Sequence, residues 1–209
     1  LSIATIKNIE IMNIQSINNV AKDATTGVLD TTAIAGLTTL NVTKAKGVYV
    51  KAADTTDVNV SGASDAITLN GGKNVVVTDA TANTNITIGA TTVNAGKITV
   101  TDTNQGTGAI AIDGGTDVTV TTTATEATGT ITVGDTTNAG AGAGVTADMA
   151  TGAINVTQNL VGDGTGAFTG GAIKTEGGST VNITVNANST ATGATTNDDI
   201  TVGAITVNG

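Results

Sequence analysis

The sequence predicts an all-β chain, and specifically a β-solenoid of the parallel β-helix type with inserted glycine-rich loops. Three observations favour this fold class: a thirteen-residue phrase occurs three times, short alternating apolar segments recur along the chain, and aromatic residues are almost absent. Aromatic side chains make up 1% of the 209 residues, so Ile, Val, Leu and Ala must form the core. These small and β-branched side chains suit thin, regular layers of strands.

The repeated phrase covers residues 66–78, 109–121 and 172–184. Each copy begins with an Ala-Ile pair, passes through a Gly-Gly pair at 71–72, 114–115 or 177–178, and ends in a second alternating segment. The copies start 43 and 63 residues apart, so the repeat is imperfect. Internal repeats are typical of stacked units that share a core, and such proteins are mostly structural or adhesive.

Short strands are indicated by apolar–x–apolar triplets that start every 8 to 13 residues. The triplets are 40–42, 48–50, 58–60, 67–69, 75–77, 86–88, 98–100, 110–112, 118–120 and 131–133. Alternation with period two is the signature of a half-buried strand, and Gly, Asn, Asp and Thr between the triplets supply turns. The same spacing fits a β-sandwich array, which is the alternative fold. The long repeat, the short triplets and the lack of large core residues favour the solenoid.

Two domains are predicted. Residues 1–30 are rich in Ile and have no Gly before Gly27, so we interpret them as a lead-in strand segment or the end of a preceding domain. Residues 31–209 form the β-solenoid repeat domain, within what we interpret as an excerpt of a longer chain. A short helical turn is expected over 31–37. Inserted loops are expected at 134–150 and 161–171, where Gly is frequent and the triplets stop.

Composition excludes several functions. The chain has a net charge of −9 and contains no His or Cys, and all eight basic residues are Lys. An acidic chain without Arg is a poor ligand for phosphate, so nucleic acid is not an expected partner. Triads that need His or Cys cannot form, and we predict that the chain is not an enzyme. The acidic pair Asp198-Asp199 is interpreted as a solvated turn. No run of eighteen apolar residues occurs, so a membrane-spanning helix is not expected.

Calcium is the predicted cofactor, because acidic residues collect at turns and calcium prefers oxygen ligands. The candidate ligands are paired across short turns or lie in a glycine-rich loop: Asp54 with Asp57, Asp113 with Asp117, and Asp163. The competing interpretation is that each of these segments is only a turn. The lone Phe, Phe168, lies in the second inserted loop. It is either a plug that packs against the solenoid or an assembly contact between copies.

The repeated phrase, followed by segments such as Ile86 to Ala90 or Ile131 to Asp135, resembles the repeats of bacterial surface-layer proteins of the Caulobacter type. Those proteins share the richness in Thr, Ala, Gly and Val and the absence of Cys. The resemblance covers roughly residues 37–209. It implies a β-solenoid secreted by a type I system to the cell surface, where it assembles with copies of itself and carries calcium at its contacts.

The expected function is therefore that of a structural, self-assembling extracellular protein that forms a surface layer or a filament through contacts between solenoids. Its expected partners are copies of itself. The alternative is the stalk or binding module of a large secreted adhesin that contacts a host or a cell-surface polysaccharide. A polysaccharide lyase or hydrolase is a distant third, because the aromatic platforms that bind sugar rings are absent.

Overall fold

The structure is a computed structural model that describes residues 8–21, 27–134, 149–164, 166–189 and 199–209. Within these ranges the chain forms strands and turns and no helix. The strands are β1 (Ile11–Gln15), β2 (Leu29–Asp30), β3 (Thr39–Thr43), β4 (Val48–Ala52), β5 (Asp57–Ser61), β6 (Ile67–Gly71), β7 (Val75–Asp79), β8 (Ile86–Ile88), β9 (Ile98–Asp102), β10 (Ile110–Ile112), β11 (Val118–Ala124), β12 (Ile131–Val133), β13 (Ala153–Gly162), β14 (Phe168–Thr169), β15 (Ile173–Glu176), β16 (Thr180–Ser189), β17 (Ile200–Thr201) and β18 (Ile205–Asn208).

Two eight-stranded parallel sheets make up the fold. Sheet 1 has the order β1-β3-β5-β7-β9-β11-β13-β16, and sheet 2 has the order β2-β4-β6-β8-β10-β12-β15-β18. The chain therefore alternates between the sheets and contributes one strand to each in every coil. A third, two-stranded sheet, β14-β17, is added in the last two coils. The parallel pairing of the described strands confirms the predicted β-solenoid and excludes the antiparallel sandwich.

The core lies between the two sheets and is aliphatic. Each of the ten predicted triplets lies in a strand, and their apolar residues point inward. In sheet 2, for example, Ile110 pairs in register with Ile86 and Ile131, and all three are 0% exposed. Identical or similar β-branched residues therefore stack in columns, which explains how a chain with almost no aromatic residues obtains a dry interior.

The repeated phrase forms the corner that leads from sheet 2 to sheet 1. Its first half is β6, β10 or β15, its second half is β7, β11 or β16, and the Gly-Gly pair lies between them. Both glycines of each pair have positive φ, such as 68° at Gly71 and 96° at Gly72. Because β8 and β12 lie between successive copies in sheet 2, the phrase recurs in every second coil. The 43- and 63-residue offsets are thus two-coil repeats.

The intervening coils have longer corners, from Gly89 to Lys97 and from Gly134 to Gly152. These corners stack beside the tight ones through isolated parallel bridges, Asn94 with Gly114 and Ala150 with Gly177. The first inserted loop, predicted at 134–150, falls within the second of these ranges, and its residues 135–148 lie outside the described residues. The alternation of tight and long corners explains why only every second coil carries the phrase.

The remaining expectations concern local segments. The predicted helical turn at 31–37 consists of two successive turns, closed by the bonds Ile34 N to Thr31 O (3.0 Å) and Leu37 N to Ile34 O (3.3 Å), and not of a helix. In the lead-in segment, β1 pairs with β3 and β2 pairs with β4. In the second inserted loop, β13 extends to Gly162 and β14 pairs with β17.

Candidate functional site

The outer face of sheet 1 carries two columns of uncharged side chains, all of them polar except Val76. The first column is Asn13, Asn41, Asn59, Val76, Thr99, Thr119, Asn155 and Asn182, and the second is Gln15, Thr43, Ser61, Thr78, Thr101, Thr121, Thr157 and Thr184. Amide hydrogen bonds link neighbouring coils, for example from Asn59 Nδ2 to Asn41 Oδ1 at 2.9 Å. The two columns themselves carry no charge. Charged residues lie beside them at the strand starts, where Asp57 begins β5 and where Lys97 and Asp117 directly precede β9 and β11.

One side of the last described coil, here named the open side, is not covered by any described residue. Its inward residues Val181, Ile183 and Val185 on β16 are only partly buried, although they continue the core columns. On β18, Ile205 and Val207 are 49% and 51% exposed, and Ile205 pairs with the fully buried Ile173. In the coils before it, the apolar residues of the same columns are covered by the coil that follows. Ile205 and Val207 are two of the six large hydrophobic residues that are exposed among the described residues.

The first predicted pair of calcium ligands lies at the corner between β4 and β5. Asp54 is exposed in the turn, whereas Asp57 is half-buried at the start of β5. Asp57 Oδ1 accepts hydrogen bonds from Asn74 N at 3.3 Å and from Asn74 Nδ2 at 2.8 Å. Asp57 therefore connects two coils. Calcium binding by this pair stays a prediction.

The second predicted pair lies on either side of the Gly114-Gly115 corner. Asp113 is 2% exposed, and Asp117 is half-buried. Asp117 Oδ1 accepts the N–H of Ala153 at 3.0 Å, and its Oδ2 forms an ion pair with Lys97 Nζ at 3.2 Å. The hydrogen bond from Ala153 and the interaction with Lys97 lower the pKa of Asp117. Both oxygens of Asp117 are therefore engaged within the chain.

The third candidate, Asp163, is exposed directly after β13. Phe168 lies nearby on β14, is partly buried and pairs with Ile200 on β17. It borders a surface depression of about 250 Å³ that is also lined by Thr125, Glu126, Ala127, Gly166 and Ala167. This position is compatible with both interpretations of Phe168, the plug and the assembly contact. Of the acidic pair 198–199, Asp199 is exposed and residue 198 lies outside the described ranges.

The sequence interpretation missed two interior carboxylates. Asp79 and Asp102 are in register at the ends of β7 and β9, and each is 1% exposed. Burial raises the pKa of Asp79, and burial together with the charge of Asp79 raises the pKa of Asp102 to about 6. The sequence does contain a pattern that predicts their position, Val-Thr-Asp at 77–79 and 100–102. Because side chains alternate along a strand, an Asp two residues after an inward Val also points inward.

The described residues contain no group of three or more His, Cys, Asp or Glu side chains that could hold a metal ion. In the same part of the chain, no helix has the length and hydrophobicity to cross a membrane. Comparison with protein-family models, with curated proteins and with solved structures finds no significant match.

Proposed function

We propose that this chain is a structural, self-assembling extracellular protein, of the surface-layer type that its repeats resemble, and that it forms a layer or filament at the cell surface. In this proposal the solenoid has no catalytic role. Its partners are further copies of itself, and calcium assists their contacts. The parallel solenoid supports the proposal, because a stack of identical coils is a stiff body whose ends and faces can be reused as contacts.

The open side of the last described coil carries the proposal. In earlier coils, inward residues donate their N–H groups to the following coil: Ile98 N to Asp117 O (2.9 Å), Ile110 N to Thr130 O (2.9 Å) and Ile173 N to Ala204 O (2.8 Å). By the same register, the N–H groups of Ile205 and Val207 face the open side. A row of such N–H groups beside exposed aliphatic side chains is a template for one more parallel strand, which a further coil of the chain or another copy can supply.

The outer face of sheet 1 supports lateral contacts. Because the chain carries a net charge of −9, copies repel one another on average. The two outward columns of Asn and Thr contain no charged residue, so two copies can approach there with little repulsion. Sheet faces of this kind pack about 10 Å apart. The face can thus complement the coil ends in a two-dimensional layer.

Electron microscopy of negatively stained protein, with calcium and then with chelator, tests this function. We expect sheets or fibres that dissolve or lose order when calcium is removed. The variant Ile205→Lys places a charge on the open side of β18 and should prevent assembly. Thr206→Lys is the matched control, because it adds the same charge to the same strand on the outward face and should assemble.

Dispersed monomers of the parent chain in both conditions would refute self-assembly of this segment. Assemblies that ignore the chelator would retain self-assembly and remove calcium from the proposal. Equal assembly of Ile205→Lys and Thr206→Lys would show that the coil end is not the contact.

The second candidate function is the stalk or binding module of a secreted adhesin. The depression beside Phe168 favours it, because a partly exposed aromatic side chain at a surface hollow can pack against a sugar ring. Monomers that bind a polysaccharide, and lose that binding in Phe168→Ala, would favour the adhesin. The polysaccharide lyase or hydrolase is tested by a single activity screen.

A further inference from the structure

A column of polar residues runs inside the solenoid at the carboxyl end of the sheet 1 strands. Asp79 on β7 pairs in register with Asp102 on β9, Asp102 pairs with Thr122 on β11, and Thr122 pairs with Gln158 on β13. All four are at most 1% exposed. Every other inward column of these strands is aliphatic in these coils, so the polar column needs a physical explanation.

Only some of the polar side-chain atoms in this column have a hydrogen-bond partner within the protein. Asp79 Oδ1 accepts the N–H of Thr81 at 3.3 Å, and Asp102 Oδ1 accepts the N–H of Asn104 at 3.0 Å. In contrast, Asp79 Oδ2, Thr122 Oγ1 and Gln158 Oε1 are buried without a hydrogen-bond partner. Buried polar atoms without partners are rare, because the loss of their hydration is not compensated.

The two carboxylates also lack a countercharge. They lie on adjacent strands, whose backbones are about 4.8 Å apart. The ion pairs of the described residues join Lys97 to Asp117 and Lys174 to Glu176, and neither involves Asp79 or Asp102. Burial raises the pKa of both carboxyl groups, and the charge of Asp79 raises the pKa of Asp102 further. A bound cation or a shared proton would remove the repulsion between the two carboxylates.

We propose that a calcium ion binds inside the solenoid between Asp79 and Asp102, with the hydroxyl oxygen of Thr122 in the adjacent coil as a further ligand. The donors are all oxygen atoms, which calcium prefers. Two calcium–oxygen bonds of about 2.3–2.6 Å sum to about 4.6–5.2 Å, which matches the strand spacing of about 4.8 Å. Water and backbone carbonyl groups supply the remaining ligands. Magnesium fits less well, because its bonds are shorter and its geometry is stricter.

This site differs from the corner aspartates Asp54, Asp57, Asp113, Asp117 and Asp163, and it does not depend on assembly. Its role is structural, since it joins β7, β9 and β11 at the polar column. A cation here makes the stability of single solenoids depend on calcium, whether or not copies associate.

Calcium titration of the chelator-treated monomer tests the site. At pH 7.5, we expect one calcium ion to bind by isothermal titration calorimetry, and we expect Tm to rise by about 5–10 °C when calcium is present at 100 times Kd. Asp102→Asn should lose this rise, and without calcium it should be at least as stable as the parent, because a repulsion is removed. Asp54→Asn, which changes an exposed corner carboxylate, is the matched control and should retain the full response.

The measurement on the parent chain needs no variant, and Thr122→Val provides a second test if Asp102→Asn does not fold. Thr122→Val keeps the shape but removes the hydroxyl, so it should weaken calcium binding about tenfold. A parent chain whose Tm ignores calcium at pH 7.5 would overturn the proposal and assign a shared proton to the pair. An Asp102→Asn variant with an unchanged calcium response would overturn it equally.

Discussion

Gly171 stacks directly on Gly129, and a methyl group on Gly171 would overlap with the carbonyl group of Gly129. The same relationship continues along the solenoid, because a Cβ on Gly129 would overlap with Gly108 and a Cβ on Gly203 would meet Gly170 and Gly171. Each glycine precedes a sheet 2 strand by two residues. The coils therefore approach most closely at a column of residues without side chains.

Substitution of this column should destabilise the fold. We expect Gly171→Ala to lower the free energy of unfolding by about 1–3 kcal/mol, because the coils cannot separate locally without loss of ladder hydrogen bonds. Gly47→Ala is the control, since its Cβ would meet only side-chain atoms of Asn19 and Tyr49 at 3.2 Å or more. Urea unfolding of both variants measures the difference. Equal stability of the two would contradict the close approach at Gly171.

The stacked aliphatic core gives a second prediction. Ile110 lies between Ile86 and Ile131 and is 0% exposed, so Ile110→Ala should cost about 2–5 kcal/mol and Ile110→Val about 0.5–1.5 kcal/mol. Thr119→Ala on the outer face of sheet 1 should change stability by less than about 0.5 kcal/mol. Thermal or urea unfolding checks the order of the three. A loss for Thr119→Ala as large as that for Ile110→Ala would mean that the outer face is buried.

The ion pair between Lys97 and Asp117 should contribute little to the stability of the fold. Lys97 is largely exposed in its pair with Asp117, with side-chain exposures of 71% and 40%. A double-mutant cycle of Lys97→Ala and Asp117→Ala should therefore give a small coupling energy that decreases with added salt. A large coupling energy that does not respond to salt would indicate that the pair is shielded from solvent.

Asp117 should also contribute to the loss of stability in acid. The N–H of Ala153 and the Lys97 side chain lower the pKa of Asp117 in the folded chain below its ordinary value of 3.8. A group with a lowered folded pKa stabilises the fold above its unfolded pKa, and this contribution is lost as pH falls through the folded value. Urea midpoints between pH 5 and pH 2.5 should fall less steeply for Asp117→Asn than for the parent. Parallel curves would exclude this contribution.

The strands could be predicted from the sequence because every coil buries one side of each strand. A triplet such as 118–120 alternates so regularly that its two Val residues can only be the inward ones. The assignment of strands to sheets was harder to predict. A Gly-Gly pair at 71–72 fits a turn within one sheet and a corner between two sheets equally well, and only the parallel register distinguishes them.

The candidate sites were less predictable, for a physical reason. Sequence patterns place acidic residues at corners, such as Asp54 and Asp57, but not the partners that they contact in the next coil. Asp117 is an example, since its partners Lys97 and Ala153 come from the preceding and the following coil of sheet 1. Asp79 and Asp102 were missed because a carboxylate in an interior column contradicts the usual association of charge with solvent.

The register of the ladder also gives the stack a direction. The backbone N–H groups of inward residues donate to the following coil. Those of outward residues donate to the preceding coil, as in the hydrogen bond from Asp57 N to Thr38 O at 2.8 Å. The first and the last described strands of each sheet therefore present different backbone groups. In the proposed assembly, copies joined end to end would run head to tail and would form an open chain without two-fold symmetry, whose two tips differ chemically.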